Sequence, residues 1–254
     1  MIRLVASDLD GTLLDAQGKL PDGIFDRIRR MRAMGIVFAA ASGRQYGNLQ
    51  RLFFPVRDQM AFLCENGAYL NAFGKTDRTL FPRETAEEII RDILDAGMEV
   101  LLSSPETSFL LASAGRAYTD DIIYRLRNTV TIIDDPFALA DDYIKISAFH
   151  PEGVAERGRP LQEKWGSRLH ADIAGALWLD FTLANKGSGI RRLARMLGVS
   201  LRDTAAFGDQ YNDLSMLEIV GHPYLMEHAP EDLRTRGFAP CRNVSDALDE
   251  LMNF

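Results

Sequence analysis

Acidic residues follow apolar runs at two places in the chain. The stretch SDLDGTLLD places Asp8 and Asp10 two residues apart, and FGDQYND contains Asp209 and Asp213. In a strand, residues i and i+2 point to the same side, so Asp8 and Asp10 would crowd together if the strand continued through them. Like carboxylates in a partly dry site repel, and one pKa rises unless a positive charge lies between them. A solvated Asp-Gly turn is the simpler interpretation of the first stretch.

Two more polar positions lie where helices are predicted to begin. Ser42 and Gly43 follow the apolar run 36–41 in the stretch ASGR, and Lys186 stands at a helix start in ANKG. Free N–H groups at a helix start bind phosphate oxygens, although this stretch by itself is more typical of an ordinary helix start with Ser42 as its N-cap. A lysine there opposes the helix dipole, so it is either a solvated surface residue or placed to meet a nearby anion.

The elements that must position these residues alternate between apolar strands and helices. Continuous apolar strands with intervening helices are typical of a parallel sheet covered on both faces. The predicted strands are 2–6, 36–41, 61–64 and 204–207, with a hairpin over 67–81. The predicted helices are 23–34, 45–53, 186–197 and 212–219, followed by short strands and helices to the end.

The alternation changes between residues 82 and 183, where strand pairs are separated by helices. This pattern predicts an α+β insert with a partly antiparallel sheet. Helices are predicted at 85–96, 115–127 and 154–165, and strands at 100–103, 109–113, 130–133, 143–149 (half-buried), 168–173 and 177–182. We therefore predict a discontinuous core, 1–81 and 184–254, interrupted by a cap domain, 82–183.

The carboxyl ends of parallel strands meet at one edge of a sheet, where ligands bind in open α/β folds. If the strand 204–207 lies beside the first strand, Asp209 and Asp213 face Asp8 and Asp10. Four converging carboxylates would repel strongly without a cation, and oxygen ligands are what Mg²⁺ prefers. The sequence therefore predicts a divalent cation at this edge.

With the four stretches DLDGTLLD, ASGR, NKG and GDQYND in this order, the chain resembles the haloacid dehalogenase-like (HAD) phosphatase superfamily. The insert between the second and third stretches resembles the large α/β cap of its Cof-type branch, and ENGA at 65–68 is similar to that branch as well. The resemblance covers essentially the whole chain. It implies a Rossmann-like, doubly wound and mainly parallel sheet in the core.

The resemblance also implies hydrolysis of a small phosphorylated metabolite through an aspartyl-phosphate, with Mg²⁺ as cofactor. Asp8 is then the nucleophile and Asp10 the general acid and base. Gly11 lets the chain turn so that both carboxylates face one phosphate, and Thr12 braces that turn. The implied metal ligands are Asp8, Asp209, the backbone carbonyl of Asp10 and, through water, Asp213. The implied phosphate-binding residues are Ser42, the Gly43 N–H, Lys186 and Asn212. Arg44 is either a residue that holds the substrate or cap, or a surface arginine.

The chain departs from the superfamily pattern after the fourth stretch. Glu227 and His228 stand where a glycine and an asparagine are expected. Histidine either replaces the amide hydrogen bond of the asparagine or titrates. The predicted cap also contains five large ring-bearing side chains: Tyr118, Tyr124, Trp165, His170 and Trp178. Most of them are predicted to belong to the core of the cap, as large aromatic residues usually do.

Composition excludes several classes of protein. The chain has 254 residues and a formal net charge of −7, which argues against a nucleic-acid partner because it would not neutralise phosphates. Apolar runs stay far below the roughly 18 residues of a membrane helix, and 2–7 is too short for a signal-peptide core. Cys64 and Cys241 form no disulfide framework and suit a reducing compartment. We expect a cytoplasmic protein; no pattern specifies an oligomeric state.

Two other binding motifs, an EF-hand and a P-loop, are excluded because required residues are missing. An EF-hand starting at Asp8 would have Leu13 in place of its glycine and Lys19 in place of its glutamate. The GKT at 74–76 lacks the first glycine of a P-loop, because Tyr69 occupies that position. Two alternatives stay open: a phosphosugar mutase of the same superfamily and a non-catalytic phosphometabolite-binding module. Sugar phosphates are the first substrate class to test, followed by pyridoxal phosphate and flavin mononucleotide.

Overall fold

The computed structural model describes residues 1–139 and 142–253, in which the chain forms two compact units. The first unit comprises Met1–Arg44, Leu49–Asp77 and Asn185–Phe254, and the second comprises Gln45–Asn48 and Arg78–Ala184. Ala140, Asp141 and Phe254 fall within the predicted domain ranges but lie outside the described residues.

The first unit is built on an eight-stranded sheet in the described residues, with the order β14-β13-β12-β1-β2-β3-β4-β5. Neighbouring strands from β14 to β3 are parallel, and β4 is antiparallel to β3. The strands are β1 (Leu4–Ser7), β2 (Val37–Ala41), β3 (Ala61–Cys64), β4 (Tyr69–Ala72), β5 (Lys75–Arg78), β12 (Thr204–Gly208), β13 (His222–Met226) and β14 (Ala239–Cys241). This order places the first strand beside one that comes about 200 residues later in the chain.

Helices cover both faces of this sheet. They are α1 (Ile24–Ala33), α6 (Lys186–Leu197), α7 (Tyr211–Leu217), α8 (Glu231–Arg234) and α9 (Val244–Met252). Helix α2 (Tyr46–Leu52) is divided between the two units, since residues 46–48 belong to the second and residues 49–52 to the first. Val37, Ala39 and Ala41 of β2 pack in one buried cluster with Ile190 and Leu193 of α6. The intervening Phe38 packs on the opposite face, against the ring of Phe53, which also contacts the ring of Phe62. The predicted doubly wound, mainly parallel sheet is confirmed.

The second unit contains a six-stranded sheet in the described residues, with the order β10-β11-β9-β6-β7-β8. All neighbouring strands are antiparallel except β7 and β8. The strands are β6 (Glu99–Ser103), β7 (Ser108–Leu111), β8 (Val130–Ile133), β9 (Lys145–Phe149), β10 (His170–Ala174) and β11 (Trp178–Thr182). The helices are α3 (Arg83–Asp95), α4 (Arg116–Asp120) and α5 (Ala155–Trp165). The predicted α+β character is confirmed.

Two predicted elements of the second unit differ in the structure. Strand β9 is buried along its whole length rather than half-buried, because Ile146 and Ala148 pack in one apolar cluster and Phe149 packs in another. Its Lys145 tolerates burial because the ammonium lies 3.5 Å from the carboxylate of Asp180. The predicted helix 115–127 is α4 followed by a π-helical turn, Asp121–Arg125.

The aromatic side chains predicted to form the core of the insert divide into buried and exposed residues. Tyr118 and Trp165 are buried, whereas Tyr124 is 72% exposed. The indole of Trp165 donates a hydrogen bond to Asp92 of α3 at 2.8 Å, which satisfies its buried N–H. Gln45 and Asn48 also belong to this unit, because their side chains hydrogen-bond with the backbone of Thr129 and Leu126, both at 2.9 Å.

Candidate active site

The carboxyl ends of β1 and β12 bring the acidic residues together. The two strands are parallel neighbours, with Ser7 opposite Phe207, so Asp8 and Asp209 emerge side by side. Asp213 joins them from the first turn of α7. All three residues are buried, and each offers one carboxylate oxygen within 4.8 Å of the others. The predicted juxtaposition of β1 with the strand before Asp209 is therefore present.

Lys186 lies among these carboxylates. It is fully buried, and its Nζ donates to Asp8 Oδ1 at 2.5 Å and to Asp213 Oδ1 at 2.6 Å. The capping box of Asn185 and Ser188 fixes the start of α6 directly before the lysine. Three carboxylates against one ammonium leave two negative charges uncompensated when all are ionised.

Hydrogen bonds distinguish the carboxylates. Asp213 uses both oxygens, since Oδ1 accepts from Lys186 and Oδ2 accepts from the N–H groups of Asp209 and Gln210, both at 3.0 Å. Asp209 accepts from the Thr12 hydroxyl at 2.9 Å and from the Gln210 amide at 3.1 Å. Asp8 Oδ2 accepts no hydrogen bond from the residues that the structure describes. This oxygen is available for chemistry.

The surroundings of Asp8 and Lys186 shift their proton affinities. Burial raises the pKa of Asp8 to about 7, with Lys186 opposing the shift and Asp213 and Asp209 adding to it. Burial lowers the pKa of Lys186, but the adjacent Asp213 and Asp8 carboxylates outweigh it, and the pKa lies above its ordinary value. The lysine therefore stays charged near neutral pH, whereas Asp8 is protonated in part of the molecules.

The donor set fits Mg²⁺. The three aspartates supply only oxygen ligands, they are buried, and they carry negative charge that Lys186 does not balance. Hard divalent cations prefer such ligands. Among the described residues, Asp213 accepts three hydrogen bonds, one of them from the Lys186 ammonium, whereas Asp209 accepts two from neutral groups and Asp8 Oδ2 accepts none. Asp8 and Asp209 would therefore be the better direct ligands.

The side chain of Asp10 lies outside this cluster, which differs from the expected convergence of four carboxylates. Strand β1 ends at Ser7, and a π-helical turn, Leu9–Leu13, follows it with Gly11 at φ +86°. The alternation of a strand therefore does not apply to Asp8 and Asp10. The Asp10 side chain is 60% exposed and forms two hydrogen bonds with Arg44, from Nε to Oδ2 at 2.9 Å and from Nη2 to Oδ1.

The predicted phosphate-binding residues Gly43 and Asn212 both lie next to Asn66, a residue to which the sequence analysis assigned no role. Ser42 is buried, and its hydroxyl accepts from the Arg44 N–H at 3.2 Å. A Cβ on Gly43 would lie 3.3 Å from the side-chain amide of Asn66, in the ENGA stretch. The Asn212 amide donates to Asn66 Oδ1 at 3.5 Å. The ENGA stretch was the available signal for Asn66.

His228 reaches the turn that follows Asp8. Its Nε2 lies 2.7 Å from the carbonyl oxygen of Gly11, which can only accept, so Nε2 carries the hydrogen. The same nitrogen lies 4.0 Å from Asp209 Oδ2. The histidine therefore supplies a donor at the position where the superfamily pattern has asparagine.

A doubly wound sheet with aspartates after two adjacent central strands and a buried lysine at a helix start fits the class of phosphoryl-transfer enzymes. The profile of the haloacid dehalogenase-like hydrolases matches residues 5–237. The chain belongs to this family, in its Cof-type branch of phosphatases.

Comparisons with individual proteins agree. The chain is 28% identical over 240 residues to the 5-amino-6-(5-phospho-D-ribitylamino)uracil phosphatase YbjI of Escherichia coli, covering 90% of this chain and 86% of that one. It is 27% identical over 239 residues to an HMP-PP phosphatase of Escherichia fergusonii, covering 92% and 87%. A crystal structure from Eubacterium rectale is similar with a TM-score of 0.89 and 22% identity, covering 98% and 99%. Among the described residues, no helix is both long and apolar enough to cross a membrane.

Proposed function

We propose that this phosphatase hydrolyses its substrate through an aspartyl-phosphate formed on Asp8 and that it depends on Mg²⁺. The observation that carries the proposal is the state of the Asp8 carboxylate. It is buried, one oxygen is held by Lys186 at 2.5 Å, and the other oxygen has no hydrogen-bond partner among the described residues. An oriented carboxylate with one open oxygen suits nucleophilic attack.

In the first step Asp8 Oδ2 attacks phosphorus, and the bond from phosphorus to the leaving alkoxide breaks. Asp10 gives a proton to the leaving oxygen, and then takes a proton from the water that hydrolyses the aspartyl-phosphate. Splitting hydrolysis into two displacements lowers each barrier. Asp10 must leave Arg44 at least in part for this role, so Arg44 becomes available to an anionic substrate.

We assign the phosphate oxygens to Ser42, the Gly43 N–H, Lys186 and Asn212. We assign the cation to Asp8 and Asp209 directly, to Asp213 through water, and to the backbone carbonyl of Asp10. When bound, Mg²⁺ offsets the repulsion between a carboxylate and a dianionic phosphate and stabilises charge on the transferring group. Lys186 keeps Asp8 oriented and stays protonated because two carboxylates raise its pKa.

For the substrate class, we propose phosphate esters of small polyhydroxylated molecules, with sugar phosphates first. The name of the Escherichia coli relative describes a phosphorylated ribityl chain, and that of the Escherichia fergusonii relative describes a different phosphorylated metabolite. Pyridoxal phosphate and flavin mononucleotide belong in the same screen.

We propose that residues 1–81 and 184–254 form the catalytic domain and 82–183 an inserted domain. The support is that the candidate site residues described above belong to the first compact unit. We also propose a cytoplasmic location, which suits the two buried free thiols, Cys64 and Cys241.

The test is phosphate release from p-nitrophenyl phosphate and a panel of sugar phosphates, with Mg²⁺ or EDTA, for the wild type and Asp8→Asn. We expect turnover that requires Mg²⁺ and that falls at least about a thousandfold in Asp8→Asn, because a nucleophile is lost. Turnover that survives Asp8→Asn would show that another residue is the nucleophile. An isomerised sugar phosphate formed without free phosphate would indicate a mutase.

A further inference from the structure

The ENGA stretch forms a strained turn beside the candidate site. Glu65 and Asn66 have φ values of +48° and +53°, and Gly67 follows at +97°. Three successive residues in the left-handed region are unusual, because side chains other than glycine disfavour it. Such strain persists where surrounding structure enforces it, and it is common at functional sites.

Hydrogen bonds hold this turn against the ASGR stretch on both sides of Gly43. The Asn66 N–H donates to the carbonyl oxygen of Ser42 at 3.1 Å, and the Glu65 N–H donates to that of Arg44 at 3.2 Å. The Asn66 side chain consequently packs over Gly43, where a Cβ would lie 3.3 Å from its amide. The turn therefore places an amide group at the proposed phosphate-binding residue.

Among the described residues, the Asn66 amide has one polar side-chain neighbour, Asn212. Asn212 Nδ2 lies 3.5 Å from Asn66 Oδ1, at the long end for a hydrogen bond, and in this arrangement the two N–H donors of Asn66 Nδ2 are directed away from Asn212. No described residue accepts a hydrogen bond from this group. Since Gly43 and Asn212 are both assigned to phosphate oxygens, the free donors lie beside the same ligand.

We propose that Asn66 is a substrate-binding residue whose Nδ2 group donates a hydrogen bond to a non-bridging oxygen of the substrate phosphate, with Asn212 orienting the amide. This assignment rests on the proposed function, because it requires a phosphate at the Gly43 turn. A purely structural role makes a different prediction: asparagine would be present only because it tolerates positive φ, and glycine would replace it without loss.

The experiment measures binding of inorganic phosphate to the Mg²⁺-loaded protein by calorimetry, together with KM and kcat for p-nitrophenyl phosphate and sugar phosphates. The variants are Asn66→Gly, which keeps the backbone conformation and removes the amide, and Asn66→Asp, which puts a carboxylate in its place. The matched control is Phe73→Gly, because Phe73 is another non-glycine residue at positive φ, +53°, in the turn between β4 and β5.

We expect Asn66→Gly to weaken phosphate binding about tenfold and to raise KM by a similar factor, since hydrogen bonds to charged groups are the stronger ones. Asn66→Asp should weaken binding further because like charges repel. Phe73→Gly should bind phosphate as the wild type does. Thermal unfolding midpoints measured on each variant identify any loss that comes from misfolding, and Asn66→Asp keeps the test decisive if Asn66→Gly unfolds.

Unchanged phosphate affinity in a folded Asn66→Gly protein would overturn the proposal. A raised KM for sugar phosphates with unchanged phosphate affinity would also overturn it, because the amide would then contact the leaving group. Failure of the proposed function is a separate result. In that case the wild type releases no phosphate from any ester, while the calorimetric comparison still measures phosphate binding by the variants.

Discussion

At the scale of single residues, Asp8 is subject to opposing effects of burial and charge. Burial, Asp213 and Asp209 raise its pKa, and Lys186 lowers it, with a net value of about 7. Below this pH the carboxyl group of the metal-free protein is protonated, and a cation must displace the proton to bind. At the proposed cation site, Asp8 would therefore couple cation binding to pH in the neutral range.

The first prediction concerns Mg²⁺ affinity. Because the pKa of Asp8 is about 7, the apparent Mg²⁺ dissociation constant should rise about tenfold between pH 8 and pH 6. Isothermal calorimetry at both pH values measures the effect. In Asp8→Asn, which has no proton to displace, the remaining affinity should vary little over this range. A pH-independent affinity in the wild type would show that Asp8 is not a direct ligand.

The second prediction concerns the stability of the metal-free protein. The pKa of Asp8 is raised from 3.8 to about 7, so the folded state keeps a proton that the unfolded state has lost between these values. The contribution of Asp8 to the free energy of unfolding is therefore fully present below pH 3.8 and is lost as the pH rises to about 7. Urea unfolding of the wild type and Asp8→Asn in EDTA isolates it: the stability difference should shift in favour of Asp8→Asn as the pH increases from 5 to 8.

The third prediction concerns Lys186, which is fully buried and neutralises buried carboxylates. Lys186→Met leaves Asp8 and Asp213 without their buried partner and should lower the free energy of unfolding by about 3–5 kcal/mol at pH 8. The control is Lys164→Met, since Lys164 pairs with Asp92 but is 45% exposed and should contribute at most about 1 kcal/mol. Urea unfolding measures both variants. If Lys186→Met and Lys164→Met lost the same free energy of unfolding, burial would not make the Lys186 ion pairs more important for stability than an exposed pair.

At the scale of elements, α6 and α7 hold Lys186 and Asp213 at hydrogen-bonding distance because they approach closely. The approach requires glycine, since a Cβ on Gly187 would collide with the carbonyl oxygen of Ser215. The Ser215 hydroxyl accepts from the Gly187 N–H at 3.0 Å, which fixes the two helices at the same point. The position of the lysine thus depends on a glycine that has no chemical role.

The fourth prediction follows from that contact. Gly187→Ala should separate α6 from α7, lower kcat at least about tenfold and lower the free energy of unfolding by about 1–3 kcal/mol, as overpacked sites do. The matched control is Arg191→Ala on the exposed side of α6, which should leave both quantities nearly unchanged. Steady-state kinetics and urea unfolding give the two readouts. A Gly187→Ala enzyme with wild-type kcat would show that the helix contact does not position the lysine.

Predictions from the sequence were accurate where one local pattern determines an element. Apolar runs bounded by glycine or polar residues located β2 and β3, and the helical period located α6 at 186–197. Because the carboxyl ends of adjacent parallel strands share one edge of the sheet, the proximity of Asp8 and Asp209 was also predictable.

Features that depend on tertiary context were not predictable from local patterns. Strand alternation placed Asp8 and Asp10 on one side, but the chain leaves the sheet after Ser7 and Asp10 turns towards Arg44. Burial of Lys145 depends on a partner, Asp180, on another strand. The position of Asn66 depends on two backbone hydrogen bonds to a strand end more than twenty residues earlier.

At the scale of the whole molecule, the candidate site joins distant parts of the chain. Lys186 and Asp8 are 178 residues apart in sequence, yet their side chains are in contact. The first compact unit is thus assembled from both ends of the chain, with most of the second unit between them. Closing such long loops makes folding slow in comparison with local contacts.

The fifth prediction separates the two units by their response to Mg²⁺. Hydrogen exchange occurs through local and larger openings, and a ligand slows only those openings that disrupt its site, by about 2.7 kcal/mol at one hundred times its dissociation constant. The candidate ligands Asp8, Asp209 and Asp213 all belong to the first unit. Mg²⁺ should therefore slow exchange in β1 and β12 and leave β9 unchanged, as measured by mass spectrometry, and Asp209→Asn should remove the effect. Equal slowing in β9 would mean that the two units open together, because a cation bound to one unit can protect the other only when both unfold in the same step.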